Sequence, residues 1–175
     1  MTCTLTATVQ ALRHPIVIIG YGNPLRRDDS IGLRVVTEVA RWGLPNVRSL
    51  TSHQLTPELA EALSEAEVAI FVDARHSADP EEVTVVSLQP NAPGTPQSPF
   101  SSLGHTSHPS ALLAFTQAVY GHVPQAWWVQ VPAADFGIGE QTSAIAEQGI
   151  SDALEEIETL IRTHSHLHFT PLDIT

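Results

Sequence analysis

Lysine is absent from this chain: its 8 basic residues are all arginine, against 19 acidic ones. The formal net charge of −11 leaves no basic patch for nucleic acid or an anionic membrane, both of which are recognised through clustered positive charge. Cysteine occurs once, at Cys3, which excludes an internal disulfide and a cysteine-built zinc cluster. No apolar run approaches the roughly 20 residues needed to cross a bilayer. The opening "MTCTLTATVQALRHP" has no apolar stretch of the signal-peptide kind. A soluble, cytoplasmic protein is expected. Familiar catalytic signatures are missing too: there is no G-x-S-x-G elbow, no H-E-x-x-H helix and no phosphate loop ending in G-K-S/T.

What is present is an alternation of β-branched runs with helical patterns, the mark of an α/β domain. The 175 residues, 42% of them hydrophobic, suit a single domain with a sizeable core, about residues 16–163, with tails at 1–14 and 164–175. "PIVIIGY" (15–21) reads as a fully buried first strand. "SIGLRVVTEVARWG" (30–43) follows as a helix with Leu33, Val36, Val39 and Ala40 on one face and Gly43 as its stop. "NVRSLTS" (46–52) is a second strand. "TPELAEALSEA" (56–66) is a helix with Thr56 as N-cap and Pro57 in its first turn. "EVAIFVDA" (67–74) is a third strand that closes on Asp73. "EEVTVVSLQ" (81–89) comes too soon afterwards for a crossover helix, so it is expected as an antiparallel edge strand. Residues 90–104 are rich in proline, glycine and serine and read as a surface loop. A helix over 108–121, a strand over 125–132 and a last helix within 142–163, interrupted at Gly149, complete the pattern.

The expected architecture is three-layered: a mostly parallel, twisted sheet of about five strands, helices on both faces and one antiparallel edge strand. Ligands of such sheets bind beyond the carboxyl ends of the strands, where strand order reverses. "VIIGYGNPLRRDDSIGLRVV" (17–36) leads from the first strand to that rim and sets Asp28 and Asp29 just before a helix. Asp73, His105 and His108 reach the same rim if the first and third strands are neighbours. Two carboxylates and an imidazole make a site for a borderline divalent transition metal. Each piece also has an ordinary explanation. Asp28 could cap the helix, Asp29 could face its dipole, Asp73 could bond a turn, and the histidines could be loop and helix-start residues. "GYGNPL" is a poor dinucleotide loop, since it lacks the third glycine and is followed by carboxylates that repel phosphate. The closely spaced His164, His166 and His168 read as tail residues that could bind nickel or zinc incidentally.

"GYGNPLRRDDSIG" resembles the amino-terminal signature of the hydrogenase maturation proteases, which trim the large subunit of nickel–iron hydrogenases. "HQLTPELAEAL" (53–63), "IFVDA" (70–74), "GHTSHPSALLAFTQAVYG" (104–121) and "PAADFGIGEQTS" (132–143) follow in the order that family requires. The resemblance spans about residues 16–161. It implies an endopeptidase that removes the C-terminal extension of a nickel-loaded large-subunit precursor. It also implies that Asp29, Asp73 and His105 (His108 being the alternative) are the catalytic and metal-touching residues. Nickel would be presented by the substrate, and another divalent ion could replace it in a purified sample. Gly20, Gly22, Asn23 and Asp28 would shape the loop, and His53 and Gln54 would line the rim. An acidic helix mouth then makes sense, because the ligand is a cation. Two other readings stand beside this one. One is a non-catalytic metal checkpoint or chaperone for the same precursor, and the other is a flavodoxin-like nucleotide-binding module.

Overall fold

The computed structural model describes residues 15–77, 82–90 and 108–165. Five strands, β1 (Ile16–Tyr21), β2 (Val47–Ser52), β3 (Val68–His76), β4 (Thr84–Leu88) and β5 (Gln125–Ala133), form one sheet in the order β2-β1-β3-β5-β4. All neighbours are parallel except β4, which runs antiparallel to β5 on the edge. The fold class expected from the sequence is the one observed. β5 has slipped between β3 and β4, so the short connection after β3 does not make a hairpin of adjacent strands. The first crossover leaves β1 on one side and β3 lies on its other side, which places the reversal of strand order between β1 and β3.

Strand parity sorts the core into two layers, because successive side chains point to opposite faces. Ile16 and Ile18 of β1, Ile70 and Val72 of β3, and Val129 and Val131 of β5 pack with α1 (Ile31–Arg41) and α4 (Ala144–Ser165). Val17, Ile19, Tyr21, Ala69 and Phe71 face the other way, towards α2 (Leu59–Ser64) and α3 (Pro109–Tyr120). The interior strand β1 is buried throughout, as a strand covered on both faces must be. Among the described residues no helix is long and apolar enough to span a membrane.

Four local expectations need correction. The buried stripe of α1 is Ile31, Val35, Val36 and Val39; Leu33 is only half-buried and Ala40 is exposed, since the helix starts one residue later and is preceded by a 3-10 turn over Arg27–Ser30. α2 begins at Leu59, and Thr56–Glu58 form a turn whose carbonyls take the first helical N–H groups in place of a side-chain cap. β3 does not close on Asp73 but continues to His76, because β5 supplies a ladder partner up to Ala133. α4 is not interrupted at Gly149. A Cβ there would lie 2.7 Å from the Val131 side chain, so the glycine serves close helix-to-strand packing. The 90–104 loop lies outside the described residues except for Pro90.

Candidate functional site

The rim at the β1/β3 reversal is built on backbone proximity. A Cβ on Gly20 would sit 2.0 Å from the Gly32 carbonyl oxygen, and one on Gly32 would sit 2.5 Å from the Val72 carbonyl oxygen. The two glycines therefore let the first turn of α1 rest directly on β1 and β3. Gly22 has φ +141° and would, with a side chain, collide with the Asp29 carbonyl at 1.9 Å. Its N–H donates to Ser52 O (3.2 Å), which ties the loop to the end of β2. Asn23 closes the bend: its Oδ1 accepts from Leu25 N (2.9 Å) and its N–H donates to Asp29 Oδ2 (3.1 Å).

The adjacent aspartates Asp28 and Asp29 have different surroundings. Asp28 is fully buried. It accepts from Ala134 N and Asp135 N (both 2.9 Å), from Ser143 N (2.7 Å) and from Ser143 Oγ (2.7 Å). Burial works to raise its pKa, but the bonds from Ser143, Asp135 and Ala134 outweigh it and hold the carboxyl below the ordinary value. Asp28 thus staples the β1–α1 loop to the β5–α4 loop and does not cap α1, whose N-terminus has no side-chain cap. Around this staple, Arg27 N donates to Gly139 O, Asp28 N to Asp135 O and Gly139 N to Leu25 O. Arg27, held at φ 38°, pairs with Asp135, and Arg26 Nε donates to Phe136 O (3.1 Å). Asp29 is half-buried and has only the Asn23 N–H on its carboxylate among the described residues.

Asp73 feels the charge of Asp29 at the same rim. The last β1–β3 ladder pair is Gly20 with Val72, so Asp73 is the first β3 residue beyond it and falls beside Tyr21. Its pKa is pushed up to about 6, first by burial and further by the charge of Asp29; Tyr21 and the Ala74 N–H (2.8 Å) act in the opposite direction. The Tyr21 hydroxyl is buried, and its pKa is raised by that burial and by the Asp73 carboxylate, while Trp128 lowers it. Neither the Tyr21 hydroxyl nor the Trp128 indole N–H makes a fully formed hydrogen bond among the described residues.

The histidines divide. His105 lies outside the described residues. His108 is the N-cap of α3: its Nδ1 accepts from Ser110 N (3.2 Å), and its ring meets Trp128 edge-on at 4.9 Å. Burial lowers its pKa. An accepting Nδ1 leaves the proton of a neutral imidazole on Nε2, so a metal ligand here would have to surrender the helix cap. His53 and Gln54 are exposed just past β2, where Gln54 O accepts from Ser52 Oγ (2.7 Å). Among the described residues no group of three His, Cys, Asp or Glu side chains is gathered tightly enough to hold a metal ion. His164 packs its ring on Trp127 at 4.4 Å, within α4, and His166 and His168 lie outside the described residues.

Sequence reasoning missed Tyr21, Trp128, Gly32 and Ser143. Strand parity carried the signal for the first: Val17, Ile19 and Tyr21 alternate in step with Ala69, Phe71 and Asp73.

No family model and no curated protein matches the chain. Solved structures do. A [NiFe] hydrogenase maturation protease, HybD, from Thermococcus kodakarensis is 21% identical with a TM-score of 0.63, over 83% of this chain and 97% of that one. The hydrogenase maturating endopeptidase HybD of Escherichia coli is 19% identical with a TM-score of 0.65, over 85% and 92%. An Escherichia coli endopeptidase solved in solution is 23% identical with a TM-score of 0.62, over the same shares. At these identities the likeness establishes a shared fold.

Proposed function

We propose that the chain is a hydrogenase maturation endopeptidase that removes the C-terminal extension of a nickel-loaded large-subunit precursor. One observation carries this reading. Asp29, on the loop after β1, and Asp73, on β3 just past its last pairing with β1, both belong to the switch-point rim of a fold shared with maturation proteases, and the charge of Asp29 adds to the rise in the Asp73 pKa. Two carboxylates that feel each other's charge with few donors are costly unless a cation joins them. The acidic helix mouth disfavours the phosphate of a nucleotide-binding module.

In this reading nickel arrives as part of the substrate. Asp29 and Asp73 offer it oxygen ligands, and His105 supplies the imidazole. A metal held by so few protein groups keeps positions for the substrate chain and for water. Polarisation of the scissile carbonyl, or a lowered pKa of a bound water, is the chemistry such an ion brings. Asp28 does not touch substrate; it holds Asp29 in place through the stapled loops.

The test is incubation with a nickel-loaded precursor followed by mass measurement of the large subunit. Loss of the extension is expected with the wild-type chain and not with Asp29→Ala plus Asp73→Ala. An intact extension in an assay that a known protease completes, or full activity of the double variant, overturns the reading. Precursor binding without cleavage would instead make the chain a checkpoint for metal insertion.

A further inference from the structure

Two polar atoms beside the candidate site lack a settled role: the Tyr21 hydroxyl and the Trp128 indole N–H, both buried and neither in a fully formed hydrogen bond among the described residues. Tyr21 is 3% exposed. Leaving a buried donor unpaired is costly, so two in one place call for an explanation. They share a face of the sheet with Asp73. Tyr21 is next to it across the β1–β3 edge, and Trp128, paired with Phe71, is diagonal to it from β5. That diagonal is within reach of an aromatic side chain. The indole has a donor and no acceptor, the phenol has both, and the carboxylate only accepts. The order indole N–H to phenol oxygen, phenol O–H to carboxylate pairs both donors and also gives the phenol oxygen a partner.

We propose that Trp128, Tyr21 and Asp73 form a buried relay, indole N–H to phenol oxygen and phenol O–H to carboxylate, that fixes the Asp73 carboxylate for its ligand. Tyr21 and Trp128 are positioning residues. Asp73 Oδ1 already accepts from Ala74 N at 2.8 Å; a second donor from Tyr21 would stop the carboxylate turning and aim its remaining lone pairs at the rim. The His108 ring also contacts the indole edge-on, with ring centres 4.9 Å apart. The relay itself is independent of the function proposed above, whereas its service to a metal-bearing substrate rests on that reading.

The test uses the full chain labelled with nitrogen-15 at its 3 tryptophans. The Trp128 indole N–H resonance is the one lost in Trp128→Phe. If that variant does not fold, Trp42→Phe and Trp127→Phe assign it by elimination. The relay requires the resonance to move in Tyr21→Phe and in Asp73→Asn. It also requires that Asp73→Asn cause little further movement once the Tyr21 hydroxyl is gone. An Asp73→Asn shift of the same size with and without that hydroxyl overturns the relay. Thermal melts give a second readout: removing a relay hydroxyl lowers the Tyr21→Phe midpoint, and removing an unpaired one raises it, which also overturns the relay. With the nickel-loaded precursor, Tyr21→Phe should lower kcat roughly 10–100-fold with little change in KM, the scale of losing a group that orients a metal ligand. Unchanged kcat overturns the positioning role. A wild-type chain that shows the coupled shifts yet leaves the precursor intact keeps the relay and overturns the proposed function.

Discussion

Asp28 and Asp73 are both withdrawn from water at the same rim, yet their acidities move in opposite directions. Asp28 is surrounded by donors from the β5–α4 loop, and its pKa lies below the ordinary value. Asp73 has its neighbour's N–H, an imperfect phenol contact and a like charge opposite, and its pKa rises to about 6. Burial alone therefore does not set the role of a carboxylate; the supply of donors does. A carboxylate saturated with hydrogen bonds is a structural staple. One that is short of them still has lone pairs to offer a ligand.

The largest effect should come from breaking the saturated side. Asp28→Ala leaves two backbone N–H groups of the 134–135 turn, together with Ser143, without their acceptor, and should cost about 3–5 kcal/mol in urea unfolding. The pH dependence has a definite sign. The folded pKa of Asp28 lies below the unfolded one, so its contribution is present above the unfolded carboxylate range and is lost as pH falls through the folded value. The gap between wild type and Asp28→Ala should therefore narrow in acid; a gap that does not change with pH would contradict the staple.

Gly22 joins the two sides, because its φ of +141° and the 1.9 Å approach of the Asp29 carbonyl leave no space for a side chain. Gly22→Ala should cost about 2–3 kcal/mol and displace Asp29 while leaving the Asp28 staple intact. Under the proposed function, processing of a nickel-loaded precursor should then fall further than the loss of folded protein explains. Circular dichroism run beside the cleavage assay separates the two effects.

On the unsaturated side the sign reverses. Asp73 has a folded pKa above its unfolded value of about 4. The proton it binds favours the folded state, fully so below the unfolded pKa, and this is lost as pH rises through about 6. Asp73→Asn removes the desolvated charge and should stabilise the chain by about 1–2 kcal/mol at pH 8, discounted for partial solvent screening. At pH 4 the gain should nearly vanish. If the proposed function holds, processing of a nickel-loaded precursor should be lost at the same time, an exchange of stability against function of the kind known at active sites. Equal destabilisation at both pH values would place Asp73 with Asp28 as a structural residue.

Much of this was legible in the sequence because it rests on local patterning. The all-apolar β1, the helix closed by Gly121 in the left-handed conformation, and the short connection that makes β4 an antiparallel edge each follow from periodicity, glycine conformation or chain length. The acidic pair at the mouth of α1 was visible as well. Its division of labour was not, since the Asp28 partners come from residues 134, 135 and 143, more than a hundred positions away. Nothing in "RRDDS" says which aspartate turns inward. The continuation of β3 past Asp73 was hidden for the same reason, as a strand's length depends on the partner it finds in β5. Gly149 shows the converse: a residue that reads locally as a helix breaker is explained by the Val131 side chain it packs against.

The smallest effect should come from the exposed ion pair that decorates the staple. Arg27 and Asp135 pair with 41% and 40% of their side chains exposed, and pairs so open to solvent contribute little because water and salt screen them. The register of the two loops is set instead by backbone bonds, Arg27 N to Gly139 O (2.9 Å) and Asp28 N to Asp135 O (3.0 Å), neither of which needs the Asp135 carboxylate. Asp135→Ala should therefore leave the urea midpoint close to wild type at low salt and indistinguishable from it at 1 M salt, and it should not change precursor processing. A loss approaching that of Asp28→Ala would mean that the loops are held from the surface. The comparison between a saturated and an unsaturated carboxylate would then have to be redrawn around Arg27, whose φ of 38° is the strained backbone that such an ion pair would be holding.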